Sequence, residues 1–88
     1  YEGQIRARSG MSLKHGITMA NGVGTIDSDY RGEIKVLIVN ISDKEYTIKN
    51  NDRIAQMIIA KYERADFKLV EELSDTSRDK GGFGHTGY

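Results

Sequence analysis

The chain has 88 residues, 38% hydrophobic and 30% charged, which bounds it to one small globular domain with a single core. Its 13 Lys and Arg balance 13 Asp and Glu, so no net field points to nucleic acid or to an anionic membrane, and neither is expected as a partner. Cysteine is absent, which excludes disulfides and thiolate metal sites, and the longest apolar run, Val36 to Val39, is far short of the roughly 20 residues of a membrane helix. No signal-peptide pattern opens the chain. It starts at Tyr1 rather than Met and contains no proline, and reads as a processed or cut piece. A domain this small buries only about 60–70% of its unfolded surface, so burial against other copies or a further segment is expected to complete it.

In chain order, Glu2 to Arg8 alternates Ile5 and Ala7 with Gln4, Arg6 and Arg8, the period of a half-exposed strand. Gly22-Val23-Gly24 reads as a turn, since the third glycine of a dinucleotide fingerprint is lacking. Glu33 to Ile41 is the clearest strand: Ile34, Val36 and Ile38 face one way and Leu37, Val39 and Ile41 the other, which predicts a strand between two packed layers. After the polar break Ser42-Asp43-Lys44, Tyr46 and Ile48 alternate with charges over Glu45 to Lys49, and Asn50-Asn51-Asp52 forms another turn. Ile54 to Phe67 fits two readings equally: Ile54, Met57, Ile58 and Tyr62 make a helical face with Asp52 as N-cap, while Ile58-Ile59 fits a strand. Phe67, Leu69 and Leu73 give a last alternating stretch. Short strands at regular spacing predict an all-β barrel or sandwich over residues 1–73. From Ser74 the chain is polar and glycine-rich, and residues 74–88 read as a mobile arm whose one aromatic, Phe83, orders on a ligand.

Singly, the chemical signals are weak. Arg8-Ser9-Gly10 offers a guanidinium, a hydroxyl and an accessible amide to a phosphate, though a solvated strand end is the commoner reading. Asp27 and Asp29, two apart, would share one side of a strand, where one can act as general base; two exposed acids at a turn is the alternative. His15 and His85 are far apart with no ligand spacing, so no protein-ligated metal is read.

Taken together in this order, the segments carry more. Arg8-Ser9-Gly10, then Asn21 with Gly24-Thr25-Ile26-Asp27-Ser28-Asp29-Tyr30-Arg31-Gly32, resembles the second and third motifs of the trimeric dUTPases. Asp52-Arg53-Ile54-Ala55-Gln56-Met57-Ile58 resembles their fourth motif, and Arg78 with Gly81-Gly82-Phe83-Gly84-His85-Thr86-Gly87 their fifth, the C-terminal arm. Lys14-His15-Gly16 fits the bacterial members. The family's first motif, an Ala-Gly-x-Asp-Leu type segment upstream of Arg8, is absent here. Ala7, Asn51 and Asp79 stand where Pro, Gly and Gly are usual. Asn51 is able to take the same positive φ, and Asp79 is expected to weaken arm closure by setting a negative charge beside Arg78.

The resemblance implies an all-β, jelly-roll-like barrel in a homotrimer with shared sites, and makes Ile54 to Tyr62 a strand. It implies a cytoplasmic, bacterial-like enzyme that splits dUTP into dUMP and pyrophosphate, with Mg²⁺ held on the triphosphate rather than by the protein. Asp27 matches the base that activates water, Tyr30 the ring under deoxyribose, and Asn21, with the backbone around Thr25 and Ile26, the uracil contacts. Arg8, Ser9, Gly10 and Gln56 match phosphate contacts, and Lys35 lies where relatives approach the nucleotide. From the arm, Arg78 meets the γ-phosphate, Phe83 stacks on uracil, and Gly84 and Thr86 add donors. Two other readings compete: a dCTP deaminase relative, disfavoured by the Gly-Gly-Phe-Gly arm and Asp27-Ser28-Asp29-Tyr30, and a fragment of the fold that binds nucleotide without turnover.

Overall fold

A computed structural model describes residues 1–87; Tyr88, the last residue assigned to the arm, lies outside the described residues. The alternation at the start of the chain gives β1 (Glu2–Ala7), with Gly3 and Ile5 buried and Arg6 exposed. β1 is followed by α1 (Ser9–His15), β2 (Ile17–Met19), β3 (Gly24–Ile26), β4 (Ile38–Asn40) and β5 (Ala55–Ala60). The all-β class read from the sequence therefore holds, with one short helix added. β1 is the centre of a three-stranded sheet ordered β3-β1-β5, and β2 pairs with β4 in a two-stranded sheet. All pairs are antiparallel. The core sits where β1 packs on β2, formed by Ile5, Ile17 and Met19, which are 3%, 4% and 6% exposed.

Within Ile54 to Phe67, Ala55–Ala60 is strand, pairing along all of β1, while Ile54 and Lys61 to Phe67 form neither strand nor helix. Asp52 is no N-cap: it closes the predicted Asn50-Asn51 turn, with Asn51 at φ 71° as a glycine substitute requires. Other expectations are corrected. Only Ile38–Asn40 of the Glu33–Ile41 segment is strand, and Ile34, Leu37 and Ile41 are exposed. Glu45 to Lys49 and the stretch from Phe67 to Leu73 form no strand, and Phe67, Leu69 and Leu73 are at least 86% exposed. These segments have the apolar pattern of strands, but a strand also needs a neighbour for its backbone donors and acceptors. Among the described residues, none forms a ladder with them, the Ala20 N–H bond to the Leu37 carbonyl (2.9 Å) being an isolated one.

α1 was invisible to periodicity because it is only seven residues long and buries none of them. Its end is built by Gly16, at φ 65° and ψ 21°, whose N–H points to the carbonyls of Met11 and Ser12. Ser12 Oγ donates to the Ile17 carbonyl (2.9 Å), and Lys14 supplies positive charge to the last turn. Among the described residues, no helix is long and apolar enough to cross a membrane. The radius of gyration is 19.0 Å, against roughly 12 Å for a compact domain of this length. Gly16 joins the helix to β4: its carbonyl accepts from Ile41 N–H (2.9 Å), and a Cβ there would stand 2.9 Å from both the backbone nitrogen and Cβ of Ser42. Gly16→Ala is therefore expected to destabilise the chain by about 1–3 kcal/mol, as strained positive-φ positions do, read as a lowered urea midpoint at unchanged m-value.

Candidate active site

In the β1–β5 register Arg6 lies opposite Gln56 and Ala7 opposite Ala55. The residues leaving β1 and those entering β5 therefore meet at one end of the sheet. Arg8 follows β1 in extended conformation (φ −92°, ψ 128°) at the N-cap of α1, and its side chain makes no capping bond. Arg53 and Ile54 enter β5 from a turn in which Asp52 N–H bonds the Lys49 carbonyl (3.1 Å) and Asp52 Oδ2 accepts from Lys49 N–H (2.8 Å). Between them opens a cavity of about 550 Å³, with Arg8, Asp52, Arg53 and Gln56 among its polar lining and Ile34 and Val36 among its apolar lining. Gln56 Nε2 donates to the Ala7 carbonyl over a long 3.4 Å. Two of the expected phosphate contacts, Arg8 and Gln56, are thus brought together. Ser9 and Gly10 are exposed in the first turn of α1, and nothing lies within 4 Å of where a Gly10 Cβ would stand. Lys35 is exposed between the two apolar wall residues.

Asp27 is elsewhere. The register sets Ile26 opposite Gly3, so Asp27 follows beside Glu2, at the far end of β1 from Arg8. At roughly 3.4 Å per strand residue the two are about 20 Å apart. The expectation that Asp27 and Asp29 share one side of a strand is corrected: β3 ends at Ile26, and Asp27 to Tyr30 form a turn closed by Tyr30 N–H to the Asp27 carbonyl (3.1 Å). β1 begins at Glu2, so the β1–β3 ladder runs out there. Both acids are exposed at this turn.

The loop after β3 braces itself. Tyr30 Oη donates to the Glu33 carbonyl (2.6 Å), and Arg31 Nη1 donates to the Ser28 carbonyl (2.8 Å). The Tyr30 ring lies over Gly32, where a Cβ would stand 2.6 Å from Cζ, so only glycine permits this ring position. Asn21 is exposed in the turn before β3, and Thr25 and Ile26 lie on β3 itself. Arm residues gather with one another. Arg78, Phe83, Gly84, His85 and Thr86 line a separate hollow of about 390 Å³, and Arg78 Nε donates to the Gly81 carbonyl (2.6 Å). Successive turns are closed by Gly81 N–H to Arg78 O, His85 N–H to Gly82 O and Gly87 N–H to Gly84 O. The Phe83 ring is fully exposed, and among the described residues no arm residue lines the Arg8 cavity. Asp79 takes the positive φ (50°) of the glycine it replaces, with its N–H bonded to Thr76 Oγ1 (3.0 Å).

Arg53 and Lys14 went unassigned in the sequence reading. Arg53 stood inside a recognised motif, which was its one signal; Lys14 is placed beside the site only by the unforeseen helix. Among the described residues, no three His, Asp or Glu side chains gather into a group able to hold a metal ion.

A family model described as dUTPase matches residues 1–87. The deoxyuridine 5'-triphosphate nucleotidohydrolase of Finegoldia magna is 66% identical over 88 residues, all of this chain and 62% of that relative. The protein of the same name from Fusobacterium nucleatum subsp. nucleatum is 58% identical over 87 residues, 99% of this chain and 60% of that relative. That of Syntrophotalea carbinolica is 53% identical over 88 residues, again 60% of its length. The chain thus spans about three fifths of the length of the curated relatives it matches.

The open space at Gly10 separates folding from binding. Gly10→Ala is expected to leave thermal stability unchanged or raised by up to ~1 kcal/mol, because alanine favours helix. If Gly10 meets phosphate as the resemblance implies, its methyl group would obstruct the amide, and titration with inorganic tripolyphosphate is expected to show about tenfold weaker binding, the worth of one charge-assisted hydrogen bond.

Proposed function

The chain belongs to the dUTPase family, and from that premise we propose that it carries the phosphate-binding and catalytic segments of an enzyme hydrolysing dUTP to dUMP and pyrophosphate. The observation that carries the reading is the β1–β5 register, which gathers Arg8 and Gln56 around one cavity. Arg8 and Gln56 hold the phosphate oxygens, with the Ser9 hydroxyl and the Gly10 amide beside them. Asp27 takes a proton from the attacking water as its oxygen bonds the α-phosphorus. The bond from that phosphorus to the α–β bridging oxygen breaks, and pyrophosphate leaves with the electron pair. Mg²⁺ carried on the triphosphate would offset the negative charge of the phosphate oxygens.

Asn21 and the β3 backbone at Thr25 and Ile26 read the uracil edge; a base with donor and acceptor reversed would leave their polar groups unpaired. Tyr30, held by Glu33 and Gly32, is the floor under deoxyribose. Lys35 approaches the nucleotide from the apolar wall. In this reading residues 1–73 are the barrel core and residues 74–88 the arm. On closure Arg78 exchanges the Gly81 carbonyl for the γ-phosphate, Phe83 covers the uracil, and Gly84 and Thr86 donate to phosphates.

The separation of Asp27 from Arg8 supports a homotrimer with composite sites. One copy supplies Arg8 and Gln56 and a neighbour supplies Asp27, so one chain alone completes no site. The exposed apolar side chains of Ile34, Leu37, Met57 and Ile59 give such copies surface to bury. A nucleotide-processing role of this kind belongs to the cytoplasm.

Two measurements check the reading. With dUTP, dCTP, dTTP and UTP in parallel, pyrophosphate release is expected from dUTP alone; Asp27→Asn is expected to slow it by about 10²–10⁴-fold with dUTP binding retained, and lost binding would remove Asp27 as the base. Mixing inactive Asp27→Asn with inactive Arg8→Ala subunits is expected to restore about a quarter of wild-type turnover, because randomly assorted trimers regain sites with both residues intact. No recovery after reassembly would place both residues in the same copy's site.

A further inference from the structure

In the turn after β3, each peptide plane from Asp27 to Arg31 is held by a hydrogen bond, and one side chain supplies half of that restraint. Tyr30 N–H to the Asp27 carbonyl (3.1 Å) ties the Asp29–Tyr30 plane to the Asp27–Ser28 plane. The other two planes are held by Arg31. Its Nη1 donates to the Ser28 carbonyl (2.8 Å), in the Ser28–Asp29 plane, and to the Tyr30 carbonyl (3.0 Å), in the Tyr30–Arg31 plane. Both bonds go to backbone although the chain sets acids at Asp27, Asp29 and Glu33. Residues 27–33 are all exposed, so no buried side chain anchors this loop, and its shape rests on these bonds. Those made by Arg31 are charge-assisted, the stronger kind.

The Tyr30 ring is therefore held at both ends. At its hydroxyl, Oη donates to the Glu33 carbonyl (2.6 Å), and the missing Cβ of Gly32 leaves the ring its place. At its root, the bond from Arg31 to the Tyr30 carbonyl fixes the backbone rotation beside the Tyr30 Cα. A ring that rejects an added sugar oxygen does so by contact, and such a surface works only when held within about 0.5 Å of its productive place. We propose that Arg31 is a positioning residue for Tyr30, and that the preference for deoxyribose over ribose depends on it. The inference rests on the reading of Tyr30 as the floor under deoxyribose. A single nitrogen meets both carbonyls, so the planar fork of a guanidinium is not required here. A lysine ammonium, with three donors at one point, is able to do the same work.

The test is an NMR titration of the full chain with dUMP and, in parallel, UMP, which have no α–β bond to cleave. The Tyr30 ring resonances report binding, and the melting temperature of each variant is measured beside it. The wild type is expected to bind dUMP more tightly than UMP. Arg31→Ala is expected to shrink that preference about five- to tenfold, within the range of a charge-assisted hydrogen bond partly screened by water. Its melting temperature is expected to stay unchanged, because the substitution lies in an exposed loop. Arg31→Lys is expected to restore most of the preference. An undiminished preference in Arg31→Ala overturns the proposal. So does equal weakening of dUMP and UMP with a lowered melting temperature, which would make Arg31 a merely structural residue. A wild type that does not bind dUMP more tightly than UMP removes the reading of Tyr30, and the proposal with it. A preference lost in Tyr30→Ala but kept in Arg31→Ala removes the role of Arg31 alone.

Discussion

The antiparallel pairing of β1 with β5 is the constraint on which the arrangement depends. It is the longest ladder in the molecule, running from Glu2 opposite Ala60 to Ala7 opposite Ala55. A sheet register admits no small adjustment, because a slip of one residue turns every side chain to the other face. Burial of Ile5 and Gly3 fixes the phase, and the phase in turn brings Arg8, Arg53 and Gln56 to one end. The same strand, paired on its other edge with β3, holds Asp27 at the opposite end. One strand thus separates Arg8, Arg53 and Gln56 from Asp27.

The surface follows the same logic. Among the described residues, three buried apolar side chains, Ile5, Ile17 and Met19, are a small core, while Ile34, Leu37, Ile59, Phe67 and Leu69 remain exposed. Exposed apolar patches of this extent mark surfaces that meet other protein. The segments that read as strands without pairing as strands, Glu33 to Leu37 and Glu45 to Lys49, are where the pattern and the pairing part company. Alternation records which faces are to be buried; it does not supply the neighbouring backbone.

Local chemistry, by contrast, is self-sufficient. The Tyr30 loop is braced by its own carbonyls and by the space at Gly32. In the arm, Arg78 caps the Gly81 carbonyl and consecutive turns fold the glycines back on themselves. Asp79 holds a left-handed conformation that costs an L-residue about 1–2 kcal/mol relative to glycine. The Thr76 hydroxyl partly offsets that cost, so this departure from the usual glycine is absorbed by the backbone while its charge still sits beside Arg78.

β1, the turn at Asn51, the strand character of part of the central segment and the ordered motifs were all legible in the residues, because each rests on contacts within a few positions: alternation, Asx turns, positive φ. The same holds for the candidate residues Arg8, Gln56, Asp27 and Tyr30, which a family's motifs mark by type and order. Their mutual placement was not legible. Whether Ile54 to Tyr62 was helix or strand, that α1 follows Arg8, that Arg53 joins Arg8 at one cavity, and that Asp27 stands a strand's length from Arg8 depend on which backbone pairs with which. Those pairings join residues some 50 positions apart, as Arg6 joins Gln56. Periodicity is a property of neighbours along the chain, and distances across a sheet exist only once its ladders have formed.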